Sequence, residues 1–212
     1  MEFNSLAEKA YHILEEKIVT LELKPGKVFS ESDLSERVEI GRTPLREALL
    51  KLANERLVEM IPRRGVAITE VNVSNHLALL DTRRVLDELI AKKSAKRATV
   101  EQREQLKRHA ASIETAAKNN DVDEYMKIDK EIDEILAEAS RNPFACEATM
   151  PLHAHCRRFW YFYNHSLDLS EPAKLHADLI RSVANGDEEK AAEASNRLIQ
   201  YLVDFTRSAL DL

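Results

Sequence analysis

The chain has 212 residues, enough for one or two domains with a sizeable hydrophobic core in at least one of them. Its formal net charge of -6 argues against a protein that coats nucleic acid non-specifically, although a specific reader with few, concentrated basic residues remains open. Only 4 glycines and 6 prolines, with 32% charged residues, favour helices joined by short turns.

Cysteine usage and the amino terminus exclude further classes of protein. Cys146 and Cys156 lack CxxC spacing, so neither a disulfide framework nor a zinc knuckle is predicted. The first residues lack the basic region and apolar run of a signal peptide. No stretch approaches the ~20 apolar residues that span a bilayer. We therefore expect a soluble cytoplasmic protein without a membrane partner.

The first 40 residues contain two helical patterns. Apolar residues recur at helical spacing from Ser5 to about Leu21, and a second short helix is predicted from Ser30 to Val38. A turn at Lys24-Pro-Gly26 ends the first helix. Glu39-Ile-Gly41 then leads into a third helical segment. Two helices joined by a tight turn that contains glycine form a helix-turn-helix, whose second helix normally enters the major groove of DNA.

Residues 41–57 supply that second helix. Thr43 is predicted as its N-cap and Pro44 as its first helical residue. Its apolar face carries Leu45, Ala48, Leu49 and Leu52. Arg42 and Arg46 lie four residues apart on the other side and oppose the helix dipole, at about 0.3–1 kcal/mol each. An anionic partner such as DNA would compensate for that cost. The alternative is an ordinary solvated helix face.

A short hairpin is predicted to follow. Val58–Ile61 and Val66–Ile68 have strand character and flank Pro62-Arg-Arg-Gly65. The adjacent Arg63 and Arg64 therefore lie at the hairpin tip. A basic tip can simply increase solubility, but beside a helix-turn-helix it would form the wing of a winged helix-turn-helix and contact the DNA backbone or minor groove.

These segments resemble the DNA-binding domain of the GntR family of bacterial transcription regulators. The resembling residues are Lys24-Pro-Gly26, Ser30 to Leu34, Arg42 to Leu49 and Pro62 to Val66. The resemblance implies that Arg42, Thr43 and Arg46 make the main base and phosphate contacts, and that Arg64 and Gly65 reach the minor groove. The chain departs from the family pattern at three positions: Ser32 replaces an arginine, Gly41 a serine or threonine, and Arg56 a glycine.

After a short link at Val71 to Ser74, the rest of the chain reads as six helices. Caps or openings are predicted at Thr99, Asp121, Asn142-Pro143, Ser170 and Asp187, after a first helix that begins near Asn75. Almost no strand character remains, so an all-α bundle is expected. The fold class is therefore mainly α: a winged helix-turn-helix of three helices and a two-stranded wing at 1–71, and a six-helix bundle at 72–212.

The second region resembles the FCD effector domain of the FadR subfamily of GntR regulators. The resembling residues are Arg83 to Asp87, Asp129 through Pro143, Leu175 to Ile180 and Gly186-Asp187. The resemblance implies a cavity for a small organic acid, often held through a divalent metal by one aspartate and three histidines. Asp129 matches the aspartate and His176 the second histidine. Asp133 and Leu198 stand at the other two histidine positions.

The changed ligand set leaves two alternatives for the cavity. Asp129 and Asp133 are four apart on one helical face and could share a cation with His176, with Zn, Ni, Mn or Mg as candidates and harder ions favoured by two carboxylates. His153 or His155 could add a ligand, but not both, because residues two apart on a helix point in different directions. Alternatively, metal binding has been lost, and hydrogen bonds and charge hold the effector.

Other residues are candidates for contacts in or near the same cavity. Arg83 could pair with a carboxylate or sugar-acid effector, and Asp129, His153 and His176 are further candidate effector ligands. The aromatic stretch Phe159–Tyr163 is expected to pack in the core, and Arg157-Arg158 to lie on a helix surface; the alternative is that they line the pocket as a cofactor box.

The expected function is a homodimeric transcription regulator that reads a pseudo-palindromic double-stranded operator and responds to an effector. One alternative is a metal-dependent enzyme built on Asp129, Asp133 and His176. No HExxH motif, glycine-rich phosphate loop or nucleophile–base pair supports it. Another alternative is a DNA-binding protein without a ligand, whose bundle only dimerises.

Overall fold

The computed structural model describes residues 3–163 and 168–209. The chain forms two compact units. The first contains Met1–Asn72 together with Ala154–Asn164, and the second contains Val73–His153 and His165–Leu212. The first unit thus takes in one segment from well beyond the expected boundary at residue 71.

The first unit is a winged helix-turn-helix. Its described helices are α1 (Leu6–Val19), α2 (Glu31–Val38) and α3 (Arg42–Asn54), and its strands are β1 (Val28–Phe29), β2 (Val58–Ile61) and β3 (Gly65–Ile68). The strands pair antiparallel in the order β1-β3-β2. The prediction of a two-stranded wing therefore missed β1, which at two residues is too short to show an alternating pattern.

The buried face of α3 is the one that the sequence predicts. Leu45, Ala48, Leu49 and Leu52 are all buried in the core of the first unit, where α3 packs against α1. Burial of a leucine side chain contributes about 1.5–3 kcal/mol. This packing fixes which side of α3 remains exposed to solvent.

The start of α3 differs from the prediction. Its N-cap is Gly41, whose extended backbone makes no side-chain cap, and Arg42 and Thr43 are already helical. Pro44 is the third helical residue, which is tolerated because N–H groups in the first turn have no intrahelical partner. Thr43 is therefore not the cap. The shift places Arg42 and Thr43 in the first turn.

Two backbone positions around the wing are unusual. Arg56 follows the end of α3 with a φ of 61°, in the left-handed conformation that glycine adopts most readily. Gly65 has a φ of 114°, and a side chain there would collide with the carbonyl oxygen of Phe29 in β1. Glycine at position 65 is thus required for the hairpin to approach β1.

The remaining six helices confirm the predicted bundle within the described residues. They are α4 (Val73–Arg97), α5 (Val100–Lys118), α6 (Val122–Ser140), α7 (Pro143–Tyr163), α8 (Ser170–Ala184) and α9 (Glu188–Ser208). The side chains of Thr99, Asp121 and Asp187 cap α5, α6 and α9 as predicted. Among the described helices, none is both long and apolar enough to cross a membrane.

The second unit is held by helix packing and by buried polar anchors. Helix α4 packs against α9, α6 and α8, while α5 packs against α8 and α6. Arg103 of α5 donates to the carbonyls of Ala95 at 2.7 Å, Val183 at 2.9 Å and Ala184 at 3.0 Å. Because terminal carbonyls of a helix lack intrahelical partners, this arginine satisfies the ends of α4 and α8 together.

Helix α7 contributes to both units. Its residues up to His153 belong to the second unit, and those from Ala154 onward belong to the first. Arg158 is only 2% exposed and donates to the hydroxyl and the carbonyl of Thr69. The expectation that Arg157 and Arg158 lie on a helix surface is therefore wrong: both are buried. Phe159 is buried as predicted.

Candidate DNA interface and effector cavity

The exposed face of α3 carries the predicted reading residues. Arg42, Thr43 and Arg46 are all exposed, opposite the buried leucines. Leu50, one turn after Arg46, is 57% exposed on the same face. The sequence reading missed Leu50, although its spacing of four from Arg46 was a usable signal. An exposed leucine on such a helix can contact a thymine methyl group.

Both arginines of α3 are held by the first turn of α2. The Nε of Arg46 donates to the two carboxylate oxygens of Glu31, at 2.9 and 3.1 Å. The Nη2 of Arg42 donates to the hydroxyl of Ser32 at 3.1 Å. The two guanidinium groups therefore have defined directions before any DNA is bound.

The wing carries the other predicted DNA contacts. Arg63 and Arg64 are exposed between β2 and β3, and Arg63 adopts a left-handed backbone with a φ of 63°. Gly65 is half-buried at the start of β3, where its absence of a side chain is already required by the approach to Phe29. All six predicted DNA-binding residues lie in the first unit, three on α3 and three at the hairpin.

The second unit encloses a small cavity among α4, α6, α7, α8 and α9. Its volume is about 30 Å³, space for about two water molecules. Most of the lining is apolar and includes Leu198, which stands where the family resemblance expects a histidine. The charged and titratable lining residues are Arg83, Asp87, Asp133, His153 and His176. Any ligand of more than a few atoms must displace side chains to enter.

Four of these residues form a chain of opposite charges. Nε and Nη2 of Arg83 lie 2.9 and 2.8 Å from Oδ2 of Asp87. Oδ1 of Asp87 lies 3.1 Å from Nε2 of His153, whose Nδ1 lies 2.8 Å from Oδ2 of Asp133. The last contact is an ion pair between His153 and Asp133. Arg83, expected to pair with an effector, is thus already paired.

This chain favours the charged forms of its members. Burial opposes ionisation of His153, but the carboxylates of Asp133 and Asp87 outweigh burial and raise the pKa of His153 above its ordinary value. Burial likewise opposes ionisation of Asp87, yet Arg83 and His153 together lower the pKa of Asp87. The two carboxylates beside His153 therefore favour its protonated form.

His176 has a separate set of partners. Its Nε2 lies 2.9 Å from Oδ1 of Asp129, and its Nδ1 lies 2.8 Å from the carbonyl of Pro172 and 2.9 Å from the hydroxyl of Tyr125. The carbonyl beside Nδ1 and the carboxylate beside Nε2 both accept hydrogen bonds, so the arrangement favours a proton on each ring nitrogen. Burial works against this charge, but the hydrogen bond and charge of Asp129 raise the pKa of His176.

The predicted metal ligands do not fit a metal in this arrangement. Asp129 pairs with His176, whereas Asp133 pairs with His153, so the two carboxylates that were expected to share a cation have different histidine partners. A metal-bound imidazole must offer a bare nitrogen, whereas Nδ1 of His153 and Nε2 of His176 each face a carboxylate oxygen of an aspartate. Among the described residues, no group of three or more histidine, cysteine, aspartate or glutamate side chains could hold an ion.

The structure separates His153 from His155, as their spacing predicts. The Nε2 of His155 donates to the carbonyl of Glu55, the C-cap of α3, at 2.8 Å. Burial lowers the pKa of His155, which favours its neutral form. His155 belongs to the first unit and is not a cavity residue.

The raised pKa values of His153 and His176 predict a pH-dependent stability. Between about pH 6.5, the pKa of histidine in an unfolded chain, and the raised values, the folded protein binds more protons than the unfolded chain. The free energy of unfolding should therefore fall as pH rises through this window. Urea titrations across a pH series would measure the fall, and the double variant His153→Gln/His176→Gln should flatten it. An increase with pH across the window would contradict these assignments.

Two family models match the chain. The model described as "Bacterial regulatory proteins, gntR family" matches residues 6–68, and the model described as "FCD domain" matches residues 78–201. The first match covers the winged unit up to the end of β3. The second covers most of the helical region, including every cavity-lining residue named above.

Individual relatives agree with these matches. The chain is 24% identical over 204 residues to the HTH-type transcriptional repressor RspR of Escherichia coli K12, covering 94% of this chain and 88% of the relative. A 62-residue segment, 29% of this chain and 26% of the relative, is 40% identical to an HTH-type transcriptional regulator of Streptomyces ambofaciens. These relatives are regulators, not enzymes.

Solved structures show the same fold. The E. coli protein McbR/YncC superimposes with a TM-score of 0.86 at 17% identity, covering 98% of this chain and all of the other. A GntR-type regulator from a Rhodococcus species gives a TM-score of 0.70 at 20% identity, covering 97% of each chain. The winged unit, the helical unit and the two family matches lead to one conclusion: this chain is a DNA-binding transcription regulator of the GntR family with an FCD domain.

Proposed function

We propose that the protein is a homodimeric regulator of the FadR subfamily that acts on cytoplasmic DNA. It reads a pseudo-palindromic operator through Arg42, Thr43, Arg46, Arg63, Arg64 and Gly65. A small carboxylate or sugar acid, bound in the cavity of the second unit, controls its affinity for that operator. The observation that carries the proposal is the exposed, pre-oriented pair Arg42 and Arg46 in the first turns of α3.

Charge supports DNA as the partner of this face. The chain as a whole has a formal charge of -6, yet α3 has no acidic residue in its first turn, where acidic side chains would be favoured. Arg42 occupies that turn instead, and Arg63 and Arg64 occupy the wing tip. A protein with an acidic total charge and a local basic face is suited to specific contacts rather than to general coating of DNA.

The cavity supports control by an anion. Arg83 and His153 are two buried cations whose partners, Asp87 and Asp133, are side chains of the protein itself. A carboxylate ligand that takes over one of these pairings displaces an aspartate, which must then take up a proton or move to solvent. His176 of α8 and Asp129 of α6 form a second polar pair in the second unit. We propose that the ligand binds through charge and hydrogen bonds without a metal, because Asp129 and Asp133 are paired with different histidines.

Helix α7 offers a path from the cavity to the reading helix. His153 lies in the cavity wall, while His155 and Arg158 of the same helix bond to Glu55 at the end of α3 and to Thr69 after β3. A ligand that displaces His153 therefore acts on the helix that holds both ends of the α3–wing segment. Two states that differ in α7 would link effector binding to operator affinity.

An exposed apolar stripe on α4 supports the proposed dimer. Val85 and Leu89, one turn apart, are 70% and 37% exposed. We expect Val85→Glu with Leu89→Glu to convert dimer into monomer, because charges buried at an interface without partners are costly. Sedimentation velocity would measure this. Val100→Glu, which changes an equally exposed valine on α5, is the matched control. A wild-type monomer would contradict the proposed dimer.

Selection from a pool of random duplexes tests the proposed function. The wild-type protein should enrich sequences with two inverted half-sites, and DNase protection should cover both. A thermal-shift screen of small organic acids, with and without EDTA, should identify compounds that raise the melting temperature in both conditions and change affinity for the selected duplex. Absence of any enriched sequence would refute the DNA-reading role, whereas a stabilisation that EDTA abolishes would refute the metal-free cavity.

A further inference from the structure

We infer that Glu31 and Ser32, in the first turn of α2, are positioning residues that determine which bases the α3 arginines can read. The inference rests on the proposed function, because it assumes that Arg42 and Arg46 face DNA. Neither Glu31 nor Ser32 was a predicted site residue. Their role follows from their hydrogen bonds to the two arginines.

The contact with Glu31 uses one defined part of Arg46. Both bonds to the carboxylate run from Nε, at 2.9 and 3.1 Å. Within residues 3–163 and 168–209, the terminal amino groups of Arg46 have no hydrogen-bond partner, and the side chain is 66% exposed. Glu31 thus binds the Nε side of the guanidinium group and leaves its two terminal nitrogens available. Two terminal N–H groups match the O6 and N7 acceptors of guanine.

The backbone that carries Glu31 and Ser32 is itself fixed. Ser30 caps α2, and its backbone N–H bonds in return to Asp33, which completes a capping box. Glu31 is the first helical residue, where the helix dipole favours a negative charge. Its side chain is only 25% exposed, so the helix dipole and the surrounding residues both restrain the carboxylate. A restrained carboxylate restricts the rotamers of Arg46 before binding, which reduces the entropy lost on contact with DNA.

Ser32 plays the same part for Arg42. Its hydroxyl accepts from Nη2 of Arg42 at 3.1 Å, so one terminal nitrogen of that arginine is engaged. Arg42 therefore presents a different edge to the groove from Arg46. Since the two arginines are oriented by different partners, we expect each to prefer its own base or phosphate position in a half-site.

The test compares affinity for a wild-type-selected duplex with affinity for a scrambled duplex of the same length. Glu31→Asp keeps the charge but is one methylene too short to hold Nε, and should lower the ratio of the two affinities about tenfold or more. Glu31→Gln retains an acceptor of the right length and should lose less. Ser32→Ala should lower the ratio, and Ser32→Thr should restore it. Melting temperatures should stay within the range set by the control Glu36→Gln, an exposed charge on the same helix.

The outcomes separate positioning from two simpler roles. If Glu31 merely repels DNA, Glu31→Gln will raise both affinities equally and Glu31→Asp will behave as wild type, which overturns the inference. If the two residues only stabilise the fold, both affinities will fall together with the melting temperature, which also overturns it. A wild-type protein that selects no sequence would instead refute the proposed function. A lowered ratio at an unchanged melting temperature supports the positioning role.

Discussion

Replacement of Arg46 by alanine is expected to remove specific operator binding while leaving the fold intact. A bidentate contact to a base contributes about 1–3 kcal/mol of discrimination. A two-fold dimer loses two such contacts, which corresponds to a roughly 30- to 20,000-fold loss of affinity. Fluorescence anisotropy with the selected duplex would measure this. Circular dichroism should be unchanged, because Arg46 is exposed and contributes nothing to the apolar face of α3.

The control for Arg46→Ala removes the same charge elsewhere. Arg108 is exposed on α5 in the second unit, and Arg108→Ala should alter affinity only through the small change in net charge. The salt dependence adds a further criterion, since a lost phosphate contact lowers the slope whereas a lost base contact relaxes specificity. Equal affinities of Arg46→Ala and wild type would remove α3 from the reading role.

Replacement of Asp87 by alanine is expected to destabilise the second unit by about 3–5 kcal/mol. Asp87 accepts from Arg83 and from His153, both of which are buried. Its removal leaves two cations without that partner in an apolar surrounding, where the cost of desolvation is no longer offset. Urea denaturation followed by circular dichroism would measure the change in the free energy of unfolding.

Two further variants test whether the loss of stability comes from the missing Asp87 carboxylate. Asp81→Ala changes an exposed aspartate on the same helix α4 and should stay within about 0.5 kcal/mol of wild type. The double variant Arg83→Leu/Asp87→Leu removes two opposite charges together. It should recover part of the lost stability, because no buried arginine is then left without its carboxylate partner. A loss of less than about 1 kcal/mol in Asp87→Ala would show that water or another residue replaces the carboxylate.

The local features of both units could be predicted from the sequence. Periodicity identified the buried face of α3, and the caps at Thr99, Asp121 and Asp187 were visible as residue types. Such features depend on contacts within a few residues, so a short window of sequence contains their cause. The wrong N-cap at Thr43 shows the limit, because proline is accepted anywhere in the first turn.

The partners of charged residues could not be predicted in the same way. Asp129 and Asp133 share a helical face, as their spacing requires, but which histidine each meets depends on how α6 packs against α7 and α8. The burial of Arg158 likewise could not be predicted, because it requires the second half of α7 to belong to the first unit, where Thr69 accepts its hydrogen bonds.

Sequence alone determined the helices, the wing, the basic character of α3 and the resemblance to the family, because each is set by neighbours along the chain. The tertiary structure alone decided that Glu31 and Ser32 bond to Arg46 and Arg42, and that Asp129 and Asp133 meet different histidines. The physical reason is that hydrogen bonds and ion pairs form between side chains that are close in space. Proximity between residues as distant as Glu31 and Arg46, or Asp87 and His153, is created only when the helices pack.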